Sequence, residues 1–498
     1  MGSEVEGADY TDEDRARFTE RVEDCLGVLD EMLATDTFEH AHPRAGMEVE
    51  IYLVGADGRP SMSNVDVLAA IDDKAFVSEL CRFNIELNLT PRHLGPGGIL
   101  TFEHVVRSSL NDAAARAEPL DVGLAAIGVL PTATPADVTS ETLTPNPRYA
   151  MLDTYMRWLR GAPFEIVIDG PEPLRVSSDS IAPEALCTSM QIHLQVSPAD
   201  FPGYWNASQA IAGVQLALGA NSPYVFGHRW YAESRIPLFG QATDTRTPDE
   251  RAADVTPRVF FGDDWIGSPM DLFRANMRYS PLLPEVSAQD PRAARAAGEV
   301  PDLAELTLHN GTIYRWNRPV YDHTPPGPHL RIENRVLPAG PTAVDMMANV
   351  ALYAGLTREL AERAAELWPD EPFDWARRNF EAGVRDGIDA TLSWPGVGER
   401  PARELVPEVL LPRAAAGLAA YGVDAENIAH YLGVIEGRCA TGQNGAAWQT
   451  AEVAAREDAG MSRDEALAGM VRAYLLRMHR NQPVHTWPVF PASEEEPV

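Results

Sequence analysis

Four short stretches of this chain place an apolar residue at every second position and set Glu, Asn, Gln, His or Arg side chains between them. In Gly46–Leu53 the apolar set is Met47, Val49, Ile51 and Leu53, which leaves Glu48 and Glu50 side by side. In Phe83–Leu89 the polar set is Asn84, Glu86 and Asn88, and in Met190–Val196 it is Gln191, His193 and Gln195. The last stretch, His329–Val336, puts Arg331, Glu333 and Arg335 in one row. A β-strand projects every second side chain to the same side, roughly 6.6 Å apart, so each stretch reads as a strand with one face in a core and the other unusually functional.

Taken singly, each is also consistent with an ordinary half-exposed antiparallel strand whose acids face water. Solvent faces, however, usually carry Lys, Thr and Ser. If the four strands share one sheet, they gather at least four carboxylates and an imidazole around a hollow, where like charges raise one another's pKa unless cations neutralise them. Hard, oxygen-rich clusters select Mg²⁺ or Mn²⁺. Two arginines in the last row then point to an anionic ligand sharing those metals, of which a nucleotide phosphate is the commonest.

With 498 residues and 45% hydrophobic content, the chain can bury a large core in one big domain or two closely packed ones. A formal charge of −32 argues against a nucleic-acid partner, since backbone binding needs a basic surface. Among 41 Lys and Arg residues only Lys74 is a lysine. A Walker A loop needs Gly-Lys-Ser/Thr and Schiff-base chemistry needs a free lysine, and Ile71-Asp72-Asp73-Lys74-Ala75 suits neither. His-Glu-x-x-His, Gly-x-Ser-x-Gly and Gly-x-Gly-x-x-Gly do not occur, which weakens zinc-peptidase, α/β-hydrolase and Rossmann readings. Cys25, Cys81, Cys187 and Cys439 lack CxxC spacing, and no long apolar run or leader-like segment occurs. The expectation is a cytoplasmic protein with reduced thiols and no membrane partner.

Along the chain, Thr11-Asp12-Glu13-Asp14 predicts the capped start of a helix to about Ala34, with Phe18, Val22, Cys25, Leu26, Leu29 and Met32 on its buried face. Ala56-Asp57-Gly58 predicts a hairpin turn, and Ala75–Leu80 a short helix that brings Glu79 just ahead of the Glu86 strand. Glu79 reads equally as a metal ligand or a solvated helix residue. Leu94–Gly98 is a turn, Leu100–Ala117 and Tyr149–Arg160 are helices, and Tyr204–Leu218 is a small-residue, buried helix. Leu306–Trp316 predicts a β-hairpin about Asn310-Gly311, delivering Arg315, Asn317 and Arg318 near the last strand. Beyond Pro341 the pattern is helical: Val344–Leu360, Phe373–Thr391, Glu408–Tyr421, Ala425–Glu436 and Arg463–Arg480. The polar run Arg438–Gly445 is expected to be an interhelical loop, with a reach over the sheet as the alternative. The expected units are residues 1–340, a helical lobe 341–490 and an acidic tail 491–498.

These residues resemble glutamate–cysteine ligase family 2, the bacterial carboxylate–amine ligases with a glutamine synthetase-like sheet. The likeness runs from about Gly46 to Arg385 and on through Trp487. It rests on the Gly-x-Glu-x-Glu strand, the Glu86 and His193 strands, the Ala220-Asn221-Ser222-Pro223 turn with Ser234-Arg235, the Glu333-x-Arg335 strand, and Asn379–Gly387. It implies an α+β fold whose curved antiparallel sheet, with flanking helices and a C-terminal helical lobe, binds ATP and Mg²⁺, with Mn²⁺ as a substitute. Implied metal ligands are Glu48, Glu50, Glu79, Glu86, His193 and Glu333. Arg331 and Arg335 would face the phosphates as catalytic groups, and Arg235 would hold an amino-acid substrate, with Arg315 as a second substrate contact. The implied reaction joins glutamate to an amine such as cysteine through an acyl phosphate. A non-catalytic nucleotide or amino-acid binding protein and a metal-dependent phosphohydrolase are the alternatives, and a homo-oligomer is left open. The chain is longer than the compact bacterial members, with Tyr224–Pro284 as its most individual region, and insertions near a pocket commonly reset specificity.

Overall fold

The computed structural model describes residues 10–40, 43–363 and 372–492, so the Glu494–Glu496 end of the expected acidic tail lies outside the described residues. Helix α1 (Asp12–Ala34) starts at the Thr11/Asp14 capping box and buries Phe18, Val22, Cys25, Leu26, Leu29 and Met32, as their spacing predicts. Seven strands form the main sheet: β1 (Ala45–Gly55), β2 (Phe76–Ser78), β3 (Asn84–Arg92), β4 (Val122–Ala125), β5 (Met190–Val196), β6 (Asn317–Thr324) and β7 (Gly327–Asn334). Their order is β6-β7-β5-β1-β3-β2, with β4 pairing the end of β1 that β5 leaves free. Every pairing in this sheet is antiparallel and the sheet curls, so the fold is α+β as expected.

Register places the four polar sets on one face. Glu50 lies opposite Glu86, Glu48 opposite both Asn88 and Gln191, and Glu333 opposite His193 and Arg318. Directly opposed residues of antiparallel strands share a face. The other face carries Val49, Ile51, Ile85, Leu87, Ile192, Leu194, Leu330 and Ile332, all buried in one continuous apolar core.

Two expectations change. Residues 75–80 do not form a helix: Phe76–Ser78 is strand β2 on the sheet edge, because Val77 and Ser78 find open ladder partners in Glu86 and Ile85. Leu306–Trp316 is not a hairpin either. Ala304–Asn310 is a helix whose buried Leu306 and Asn310, with Leu303 just before, follow helical rather than alternating spacing. A short strand, Tyr314–Arg315, follows and pairs in parallel with Val259–Phe260.

From Ala343 onward helices dominate, with one two-stranded ribbon at Thr391–Trp394 and Gly398–Pro401. We label α2 (Phe201–Gly219), α3 (Ala343–Glu362), α4 (Asp374–Asp386), α5 (Leu411–Ala420) and α6 (Ala425–Thr441). Two glycine contacts set their packing. A Cβ on Gly213 of α2 would lie 2.4 Å from the Asn379 backbone of α4, and one on Gly417 of α5 would lie 1.9 Å from the Gly355 carbonyl of α3. Arg438, in α6, is fully buried: it donates to Asp345 Oδ1 at 2.8 Å and to Asn349 Oδ1 at 2.7 Å, while the other Asp345 oxygen accepts from Val484 N at 3.0 Å. The polar run at 438–445 is thus a helix-to-helix junction, in which Asn444 donates to the Ala217 carbonyl at 3.0 Å. Among the described residues no helix is long and apolar enough to cross a membrane.

Replacing Arg438 by Met leaves Asp345 as an uncompensated buried charge. The expected loss is about 3–5 kcal/mol of stability, read as a lowered urea midpoint. An unchanged midpoint would show that the Thr342 cap and the Val484 amide suffice for Asp345.

Candidate functional site

The polar face divides into a paired half and an acidic half. In the paired half, Glu333 is 2% exposed and is clasped by Arg318, whose Nη2 lies 2.8 Å from one carboxylate oxygen and 2.9 Å from the other, and by Arg335 Nη1. Burial alone would raise the Glu333 pKa. Arg318, then Arg335 and His193, outweigh it and hold the carboxyl well below its usual range. Arg335 also donates to Gln191 Oε1 at 3.0 Å. Arg331 does not touch Glu333; its Nε donates to His193 Nδ1 at 3.1 Å and its Nη1 to Asp322 at 2.8 Å. His193 Nε2 lies 3.1 Å from Glu48 Oε1. Burial pushes the Glu48 pKa up, but the imidazole beside it outweighs this and draws it down to about 2.

In the acidic half the carboxylates meet mainly one another. Glu86 is pushed up to about 8 by burial and then by Glu48 and Glu50, with the Asn88 amide donating to it at 2.7 Å. Burial, then Glu86, Glu50 and Glu184, raise Glu79 well above the usual carboxylate range. Glu79 thus stands among these carboxylates, just past the end of strand β2 rather than on the expected helix. Glu50 accepts from Ser189 N at 2.6 Å and Gln191 Nε2 at 3.1 Å, and burial raises it despite Arg335. Sequence patterning missed Glu184. It comes from the short 3₁₀ turn Ala182–Leu186, where no periodicity marks it, and is raised to about 8 by burial and Glu50.

Two expected substrate arginines are placed elsewhere. Arg235 is 1% exposed; its Nε donates to Glu233 at 2.9 Å, its Nη2 reaches the Arg335 and Val336 carbonyls, and its guanidinium lies over Trp316. It fixes the backbone that carries Arg335, as part of a lock with Asn221, whose amide N–H donates to Glu233 at 2.8 Å. Arg315 is buried against Asn276, 3.1 Å away, and the Phe260 ring. Neighbours on a strand point opposite ways, so it is Tyr314 that lies toward Glu184 and Arg335.

Beside the paired half opens a cavity of about 670 Å³, lined by Glu48, His193 and Arg331 together with Arg44, Lys74, Asn88 and Asp322. Its size suits a nucleotide. Among the described residues no three His, Cys, Asp or Glu side chains converge tightly enough to hold a metal ion. The donor chemistry nevertheless fits a hard divalent cation: Glu79, Glu86 and Glu184 are oxygen donors driven up first by burial and then by neighbouring carboxylates, a condition that a cation relieves.

A curled antiparallel sheet whose one face pairs buried carboxylates with guanidiniums defines the class of this protein. The family model of glutamate–cysteine ligase family 2 matches residues 44–471, and the chain belongs to that family. Among solved structures it is similar to a glutamate–cysteine ligase from Francisella tularensis in complex with AMP, with 12% identity, 89% of this chain and 90% of that one covered, and a TM-score of 0.54. A bifunctional glutathione synthetase from Pasteurella multocida (13%, covering 91% and 55%, TM-score 0.44) also matches. So does the complex of the prokaryotic ubiquitin-like protein Pup with its ligase PafA (10%, covering 88% and 72%, TM-score 0.37). A comparison with curated protein sequences gives no match.

Two outcomes follow from this charge layout. Glu86 takes up a proton on folding, so its contribution to stability is complete below its ordinary value of 4.5 and is lost as pH rises through about 8. In chelator, the melting temperature should fall between pH 5 and 8, Glu86→Gln should flatten that fall, and Mg²⁺ should raise the wild-type value at pH 8. Equal slopes for wild type and variant would remove Glu86 as the source. Glu333→Gln removes the carboxylate that Arg318 and Arg335 share and should cost the ligand-free protein about 3–5 kcal/mol. A variant that melts like wild type but has lost Mg²⁺ binding would make Glu333 a metal ligand first.

Proposed function

We propose that this protein is an ATP- and Mg²⁺-dependent carboxylate–amine ligase that forms a γ-glutamyl amide, with glutamate as donor and cysteine as the family-implied amine. The observation that carries the reading is the juxtaposition of the clasped Arg335, the acidic half-site and the cavity on one sheet face. Family membership supports the ligase class. The Francisella tularensis ligase of the same fold is in complex with AMP, which supports a nucleotide as the ligand of the cavity.

The donor carboxylate oxygen bonds to the γ-phosphorus of ATP as the bond to the ADP oxygen breaks. The amine nitrogen then bonds to the acyl carbon, phosphate leaves, and the amine gives up a proton. Both steps move negative charge, so a preorganised cation near the transferring group lowers the barrier more than any nucleophile of the protein would. Arg335 is suited to that role: Glu333 and Gln191 fix its guanidinium and Arg235 fixes its backbone, so it needs no reorganisation during transfer. Arg331, held by His193 and Asp322, presents a cation to the cavity. Glu50, Glu79 and Glu86, with Glu184 beside them, would draw together to hold Mg²⁺ in the acidic half, and Glu48, His193 and Glu333 would border the other half. Bound there, the metal would screen the phosphate oxygens and let the acids ionise.

Phosphate release from ATP, Mg²⁺ and glutamate should depend on an added amine, and Arg335→Met should lower kcat by about 10²–10³-fold, as loss of one charge-stabilising donor does. No amine-dependent release across a broad amine panel overturns the ligase reading. Amine-independent hydrolysis would favour a phosphohydrolase instead. Tight nucleotide binding without positional oxygen exchange in ATP would favour a non-catalytic binding protein.

A further inference from the structure

The single lysine of the chain lines the cavity. Lys74 stands between Asp73 and Ala75 on the turn that leads into β2, and that turn is pinned: Asp72 adopts a left-handed backbone, Asp73 Oδ1 accepts from Ala75 N at 2.9 Å, and the Ala75 carbonyl accepts from Asn88 N at 2.8 Å. The side chain is exposed and, among the described residues, makes no hydrogen bond or ion pair, although two aspartates precede it in sequence. Its counterpart in the cavity is Arg331 on β7. With strands about 4.8 Å apart, the four steps from β2 through β3, β1 and β5 to β7 amount to roughly 19 Å along the sheet. The curl of the sheet brings both ends around one hollow, which Lys74 and Arg331 line together with Arg44.

We propose that the Lys74 ammonium is an anion-contacting group of this cavity and holds a phosphate of the bound nucleotide across from Arg331. The proposal rests on the nucleotide reading given above. A compact ammonium on a flexible four-carbon stem suits this place: it can follow a phosphate without a fixed two-pronged geometry, whereas Arg331 is already committed to His193 and Asp322. The surrounding charge favours that choice. Glu39, Glu48 and Asp322 also line the cavity in a chain of net charge −32, so an unpaired ammonium there offsets repulsion that an incoming polyphosphate would otherwise meet.

A sole lysine makes the test direct, because an amine reagent has one side chain to modify. Full-length protein is pulsed with isotopic acetic anhydride with and without Mg-ATP, and acetylation of the Lys74 peptide is read by mass spectrometry; adenosine serves as the phosphate-free control. Mg-ATP should slow acetylation of Lys74 several-fold and adenosine should not. By calorimetry Lys74→Met should weaken Mg-ATP binding about tenfold, the worth of one hydrogen bond to a charged group, and Lys74→Arg should recover part of the loss. If wild type binds Mg-ATP while Lys74 is acetylated at an unchanged rate and Lys74→Met binds within twofold of wild type, the Lys74 proposal is overturned and the nucleotide reading stands. Equal protection by adenosine would also overturn it, because the amine would then be shielded by the nucleoside and not held by phosphate. If wild type binds no ATP at all, both fall.

Discussion

The arrangement depends on how the protein manages like charges buried on one sheet face. Glu50 and Glu86 stand directly opposite each other across β1 and β3, a pairing that is unfavourable in any sheet and more so away from water. At one end of the face the difficulty is met internally. Arg318 and Arg335 close on Glu333, and His193 sits against Glu48. At the other end no guanidinium among the described residues closes on Glu79, Glu86 or Glu184, and burial, then repulsion, favour their protonated forms. The face is thus charge-balanced on one side and poised for cations on the other.

That asymmetry is held by parts far from the face in sequence. Arg235 joins the Ala220–Pro223 turn to the end of β7 through Glu233 and the Arg335 and Val336 carbonyls, so the guanidinium that meets Glu333 stands on a backbone fixed from behind. Asn221 extends the same network to Ala339, Tyr474 and Gln449. A motif that resembles a substrate clamp in sequence therefore serves, in the fold, to position the neighbouring arginine. The close crossings at Gly213 and Gly417 bind the helices to one another with the same economy of space.

The sheet and most of the site were legible in the sequence because alternation is a local property. Glu48, Glu50, Glu86, His193, Arg331, Glu333 and Arg335 all reach the face that their parity predicts. Where periods compete, local reading failed: residues 303–311 carry an Asn-Gly turn signal and a helical apolar spacing at once, and packing chose the helix. Residues 76–78 were similarly decided by an open ladder on β3.

What the sequence determined by itself was which residues share a face within each strand, the exclusion of lysine chemistries, and the family. Only the tertiary structure decided which charges meet. Parity says that Arg331, Glu333 and Arg335 point the same way. It cannot say that Glu333 pairs with Arg318 from the adjoining strand, that Arg331 turns to His193, or that Glu184 arrives from a turn with no pattern of its own. The reason is physical. The direction of a side chain follows from its own backbone, whereas its partner and its charge state depend on burial and on neighbours brought together from distant parts of the chain.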